Sequence, residues 1–124
     1  MATTSKISNA GAMNEFVPPF DVTSRLTDQL YQCRFSHMWN GIATRHSDTI
    51  DTKFFVDGRG VVVGLAHTAF VEFRARTGRD LSDREASHIA ARALCDRLEQ
   101  EEERSLYDVS PADVSRIIAF LGIR

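Results

Sequence analysis

Three observations predict an α+β fold for these 124 residues: a β-hairpin or small antiparallel sheet covered by about four helices. First, the segment "TIDTKFFVDGRGVVVGLA" (49–66) places two β-branched and aromatic runs on either side of Asp57-Gly58. Asp-Gly between strand-like runs is a strong hairpin signal, because glycine accepts the positive φ of a tight turn. Second, Ser82 is answered three residues later by Glu85, a capping box ahead of a long apolar stripe at helical period. Third, "SPADVSRIIAFLG" opens with Ser110 as a cap and Pro111 at the first helical position, and closes at Gly122.

Each element follows in chain order. Residues 1–17 are small and polar and read as a flexible N-terminal arm, with residues 18–124 as one globular domain. "VPPF" (17–20) ends the arm, since consecutive prolines favour extended backbone. Asp21 then caps a predicted leading helix, with Val22, Leu26, Leu30 and Cys33 on one face. A strand through "CRFSHMW" (33–39) competes with it, because Cys33, Phe35, His37 and Trp39 alternate. Gly41 and "TRHSD" (44–48) stop this element. In the hairpin, Ile50, Thr52 and Phe54 share one face, and Gly64 either bulges the second strand or admits a close backbone approach. Thr68 caps the next helix, which ends at Gly78. The longest helix covers about 83–103, with Ala86, Ile89, Ala90, Ala93, Leu94 and Leu98 facing the core. In the last helix Val114, Ile117, Ile118 and Leu121 face inward.

Composition bounds the function. Hydrophobic content is 43% and charged content 26%, with a formal net charge of −2, so neither general disorder nor a strongly basic surface is expected. Cys33 and Cys95 could form at most one bridge, which points to reduced thiols and a cytoplasmic setting. The N-terminal stretch lacks the apolar core of a signal peptide, and no run approaches a membrane span, so no membrane partner is expected.

The glycines of the hairpin do not make a phosphate loop. Gly58, Gly60 and Gly64 are spaced one residue too widely for the dinucleotide pattern, and Val61–Val63 continues a strand where that pattern needs a helix. A metal site using Cys33, His37, His88 and Cys95 together fails on geometry, and nothing in the sequence supplies other partners for Cys33 and His37. Cys33 and His37 are one helical turn apart, but His88 and Cys95 lie two turns apart, roughly 10 Å along the axis, too far for one ion. No metal or other cofactor is expected. His88 and Cys95 sit just off the apolar stripe and read as partly exposed or packed against a second element, and Asp96 and Glu99 would raise the Cys95 pKa. No serine-nucleophile signature is present. Asp48, Asp51 and Asp57 read as solvated turn formers, so no catalytic residue is assigned.

The candidate interaction surface is Trp39, Arg74, Arg76, Arg79, Glu101, Glu102 and Glu103. Trp is enriched in binding hot spots. The arginines crowd a helix end, where they also complement its dipole. The glutamates read as a solvated, fraying helix end or as an acidic patch for a basic partner.

"FFVDGRGVVVGLAHTAF" and "ARALCDRLEQEEERSLYDVSPADV" together resemble a small bacterial family catalogued as domain of unknown function 1488. The resemblance covers about half the chain, Phe54 to Phe70, Ser82 to Glu103 and Tyr107 to Asp113. It implies a compact α+β fold and no assigned activity. The expected function is therefore a small soluble non-catalytic interaction or regulatory module, a homo-oligomer or the ligand of a protein partner. A nucleic-acid-binding regulator using the C-terminal helices is the alternative, and a small enzyme the second.

Overall fold

The computed structural model describes residues 13–124. It is an α+β fold in which a curled five-stranded sheet carries its main helices on one face. Strand β1 (Phe20–Thr23) leads into β2 (Leu30–Asn40), a short helix α1 (Gly41–Arg45), then β3 (Thr49–Val56) and β4 (Arg59–Ala66). Helices α2 (His67–Thr77) and α3 (Asp83–Glu99) cross over to β5 (Leu106–Val109), and α4 (Pro111–Leu121) follows. The spatial order is β1-β2-β3-β4-β5. The first three pairings are antiparallel, and β5 joins β4 in parallel.

The hairpin is where the sequence put it. Asp57 (φ 51°) and Gly58 (φ 80°) are both left-handed, which is the requirement of a two-residue type I′ turn. The capping box at Ser82 is complete, with Ser82 Oγ accepting from the Glu85 N–H and the Glu85 carboxylate accepting from the Ser82 N–H. Ser110 caps α4, accepting from the Asp113 N–H. Gly78 and Gly122 end α2 and α4 in the left-handed conformation.

Four expectations are corrected. The predicted leading helix is instead β1, a turn and β2. Val22 and Cys33 do share the buried face, but as strand residues, while Leu26 and Leu30 are exposed. The alternation of the competing strand is broken by a bulge at Ser36, the extra residue between Phe35 opposite Phe54 and His37 opposite Lys53. Inward positions therefore switch from Cys33 and Phe35 to Met38. Thr68 is not a cap, because the cap position falls two residues earlier, at Ala66, and α2 begins at His67 with no side-chain cap. The longest helix stops at Glu99, not at 103, and β5 takes up residues beyond it that carried no predicted element.

Within the layer between sheet and helices, Phe54, Val63 and Leu65 pack against Phe73, Ile89, Leu94 and Ile117, all essentially inaccessible. Helix α3 is buried nearly all round, including His88 and Cys95, which are packed against other elements, the second of the two environments expected for them. His88 is covered because residues before β1 lie along this end of the helix. The Val17 N–H donates to Ser87 Oγ at 3.0 Å, and a ring nitrogen of His88 lies 3.0 Å from the Glu15 carbonyl. Of the expected arm, residues 1–12 lie outside the described residues, and Met13 and Val17 are buried in the core.

Candidate functional site

Antiparallel pairing sends alternate side chains to the face of the sheet opposite α2, α3 and α4. The register groups them into rows. Trp39, Asp51, Gly64 and Asp108 form one row across β2 to β5; His37, Lys53, Val62 and Leu106 form the next; Arg34, Phe55 and Gly60 form a third. Helix α1 folds back at one end of this face. Its entry is set by Asn40, whose side chain accepts from the Ile42 N–H, and its exit by His46 in the left-handed region at φ 56°.

Arg45, at the end of α1, is clamped to the first row. Its Nε donates to Asp51 Oδ2 at 2.8 Å, and its Nη2 donates to Asp51 Oδ1 at 2.9 Å and to Asp108 Oδ1 at 2.7 Å. Thr49 Oγ donates to Asp51 Oδ1 at 2.7 Å. The Asp51 side chain is 1% exposed, Arg45 27% and Asp108 58%. Burial pushes the Asp51 carboxyl upward, but the hydrogen bonds from Arg45 and Thr49 outweigh it and hold the group below the ordinary carboxylate range. Those hydrogen bonds, with Asp108, raise the Arg45 pKa in turn. Asp51 is therefore a buried, charged strand residue, a correction to its reading as a solvated turn former.

Two glycines make the room. A Cβ on Gly64 would lie 2.5 Å from Arg45 Nη2 and 2.8 Å from Asp51 Oδ1. One on Gly41 would meet the Thr49 hydroxyl and lie 2.9 Å from Asp51 Oδ2. Gly64 thus admits a close approach, as the sequence suggested, but of a side-chain cluster and not of backbone. With both its oxygens occupied by Arg45 and Thr49, Asp51 is built to hold α1 in place.

A second cluster lies toward the hairpin tip. The Arg34 guanidinium carbon sits over the Phe55 ring, 4.4 Å from its centroid, and Lys53 Nζ lies 5.5 Å from the same centroid. Among the described residues neither cation has a carboxylate within ion-pair distance, whereas Arg45, Arg59, Arg97 and Arg104 each hold one. Beside them a groove of about 530 Å³ opens between β1, β2 and the hairpin turn.

The seven residues of the predicted interaction surface do not gather into one patch. Trp39 is on the open sheet face, half-buried, its indole N–H donating to Thr44 Oγ at 3.0 Å. The arginines lie at or just past the end of α2. Arg74 pairs with Asp80 at 2.8 Å, Arg76 lies over Phe73, and Arg79 pairs with Glu85 and donates to the Arg124 carbonyl. The glutamates follow α3, and Glu101 alone of the three bonds to the β1–β2 turn. Glu101, itself left-handed at φ 56°, accepts from Ser24 Oγ at 2.5 Å and from the Thr27 hydroxyl. Glu102 pairs with Arg97 and Arg104, and Glu103 accepts from the Tyr31 hydroxyl at 2.9 Å and pairs with Arg59. Burial, then the hydrogen bond to Glu103, pushes the Tyr31 phenol up to about 12.

Cys33 and Cys95 are free and buried, and burial pushes both thiols up to about 12. Among the described residues no three His, Cys, Asp or Glu side chains converge to hold a metal ion, and no helix is long and apolar enough to cross a membrane. Sequence reasoning missed Arg34, Lys53, Phe55, Arg45 and Asp108. The available signal was the alternation Lys53, Phe55 on β3, which the hairpin assignment already sends to one face. Comparison with family models, curated proteins and solved structures finds no match to this chain.

Proposed function

We propose that the chain is a non-catalytic interaction module that works as a homodimer in the cytoplasm. The observation that carries this reading is the uneven width of the sheet. β1 pairs with only Leu30–Cys33 of the eleven-residue β2, so one edge of β2 from Arg34 to Asn40 has no strand partner among the described residues. Open edges of this length are a template for another strand, and a two-fold pairing of identical edges satisfies both at once. Trp39 and Ile42, the latter 54% exposed, supply apolar surface where this edge ends. The bulge at Ser36 limits uncontrolled growth from the edge, as bulges do. Two buried free thiols support the cytoplasmic setting.

The test is light scattering across a concentration series. The expected result is a dimer that Ser36→Lys combined with Ile42→Lys converts to a monomer, both side chains being exposed and remote from the core. A wild-type chain that stays monomeric at high concentration removes the reading.

A further inference from the structure

The groove at the hairpin end of the open face has a built polarity. Successive rows of the sheet present Asp21 with Gln32 and the turn residue Asp57, then Arg34 with Phe55, then Lys53. Asp21, Gln32, Arg34, Phe55, Asp57 and Gly58 line it, and Lys53 borders it through the shared contact with Phe55. Its volume, about 530 Å³, falls in the range of small-molecule sites. Asp21 is exposed with no ion-pair partner among the described residues, and Asp57 Oδ1 accepts only from the Gln32 N–H. The strand beside Lys53 is shaped for it: a Cβ on Gly60 would lie 2.9 Å from Lys53 Cε and 3.3 Å from Nζ. A larger residue at position 60 would displace the end of the Lys53 side chain.

We propose that this groove binds a nucleotide. Arg34 and Lys53 are two adjacent, uncommitted cations, the arrangement that takes a phosphate group, with the arginine fork able to bind two oxygens at once. The Arg34 guanidinium, backed by the Phe55 ring beneath it, supplies the flat surface on which a base stacks. Asp21 and Asp57, on the row beyond, accept from the amino groups of a base. One ligand class carries an anion, a planar ring and amino donors along its length in that order. The exposed carboxylates of Asp21 and Asp57, at one end of the cationic belt, favour a single nucleotide over a long polyanion. The site meets the edge assigned to the dimer at Arg34, and its other lining residues lie where β1 covers β2 and at the hairpin turn; AMP binding reads the groove whether or not that edge pairs, so the two readings fail separately.

The probe is AMP, followed by amide chemical shifts and calorimetry on the full chain, with adenosine and inorganic phosphate as separate arms. The expected result is saturable binding that moves the amides of Gln32, Arg34, Phe55 and Gly58. Arg34→Ala and Lys53→Ala should each weaken it at least tenfold, about 1.4 kcal/mol, without lowering the melting temperature. Adenosine and phosphate alone should each bind more weakly than AMP. Three outcomes overturn the proposal: no saturation by about 10 mM, a range in which only affinities weaker than small-ligand sites remain; AMP binding no better than inorganic phosphate; or both variants binding AMP like the parent chain.

Discussion

Asp51 is a charged group with almost no access to water, so its stability contribution depends on the two residues that hydrogen-bond to it. Asp51→Ala leaves the Arg45 guanidinium without its main partner. The expected loss is about 3 kcal/mol, the low end for a broken buried pair because Arg45 is open to water on one side; urea denaturation measures it. The pH dependence has a definite sign. The folded pKa of Asp51 lies below its unfolded value, near 3.9. Its stabilisation is therefore present above about pH 4 and is lost as pH falls through the depressed folded value. The stability gap between the parent chain and Asp51→Asn should shrink on acidification below pH ~4, and a gap that stays constant there would contradict the assignment. Gly64→Ala should cost about 1–3 kcal/mol, since the added methyl displaces the clamp. The sequence marks Gly64 as a break in an apolar strand and so signals a close approach. It gives no sign of what approaches, because Asp108 comes from a strand about 45 residues further on, and Asp51 looks like any turn aspartate until β3 and β4 are paired.

At the scale of elements, local chemistry was legible at the Asp57-Gly58 turn, through backbone conformation, and at the Ser82 capping box and the Ser110–Pro111 start of α4, through side chains that cap their own helix. Ser82→Ala should therefore cost about 1 kcal/mol, and Glu85→Ala more, because Glu85 also anchors Arg79; thermal melts of the two variants separate these contributions. β2 was misread for a physical reason. The bulge at Ser36 shifts the period of two, so Phe35 and Met38 both face the core at a spacing of three, which is a helical interval. β5 was missed because four residues are too few to show a period, and its strand character depends on β4 lying beside it. The glutamates after α3 are unfavourable for the helix dipole on local grounds, yet tertiary partners give each of Glu101, Glu102 and Glu103 a hydrogen bond or ion pair.

For the whole molecule, one helical layer on a sheet puts the centre of the core along α3, and both cysteines belong to that core. Cys33 and Cys95 should react negligibly with a thiol reagent at pH ~8, where a solvated thiol with a pKa of about 8.5 reacts readily. Reactivity should appear only on unfolding, in step with the loss of helical signal; fast labelling of the native chain would show that the core opens locally. Because both thiols are raised in the folded state, ionisation favours the unfolded chain, and stability should decline as pH rises past about 8.5. The α+β class and the burial of the α3 and α4 stripes followed from periodicity, since amphipathic faces report burial. The second face of the sheet did not, because a sequence cannot distinguish a solvated strand face from one that carries a site.

The parallel partnership of β4 with β5 also sets an order of assembly. β3 and β4 meet across a two-residue turn, whereas Leu65 reaches Val109 only after the chain has travelled through two helices. Closing so long an excursion is entropically slow, and contacts of high sequence separation form late. Weakening β5, for example by Tyr107→Ala, should therefore accelerate escape from the native state while leaving the rate of its formation nearly untouched. In chevron kinetics the steeply affected limb would be the unfolding one, and the strand nearest the C-terminus would act as the latch that closes last.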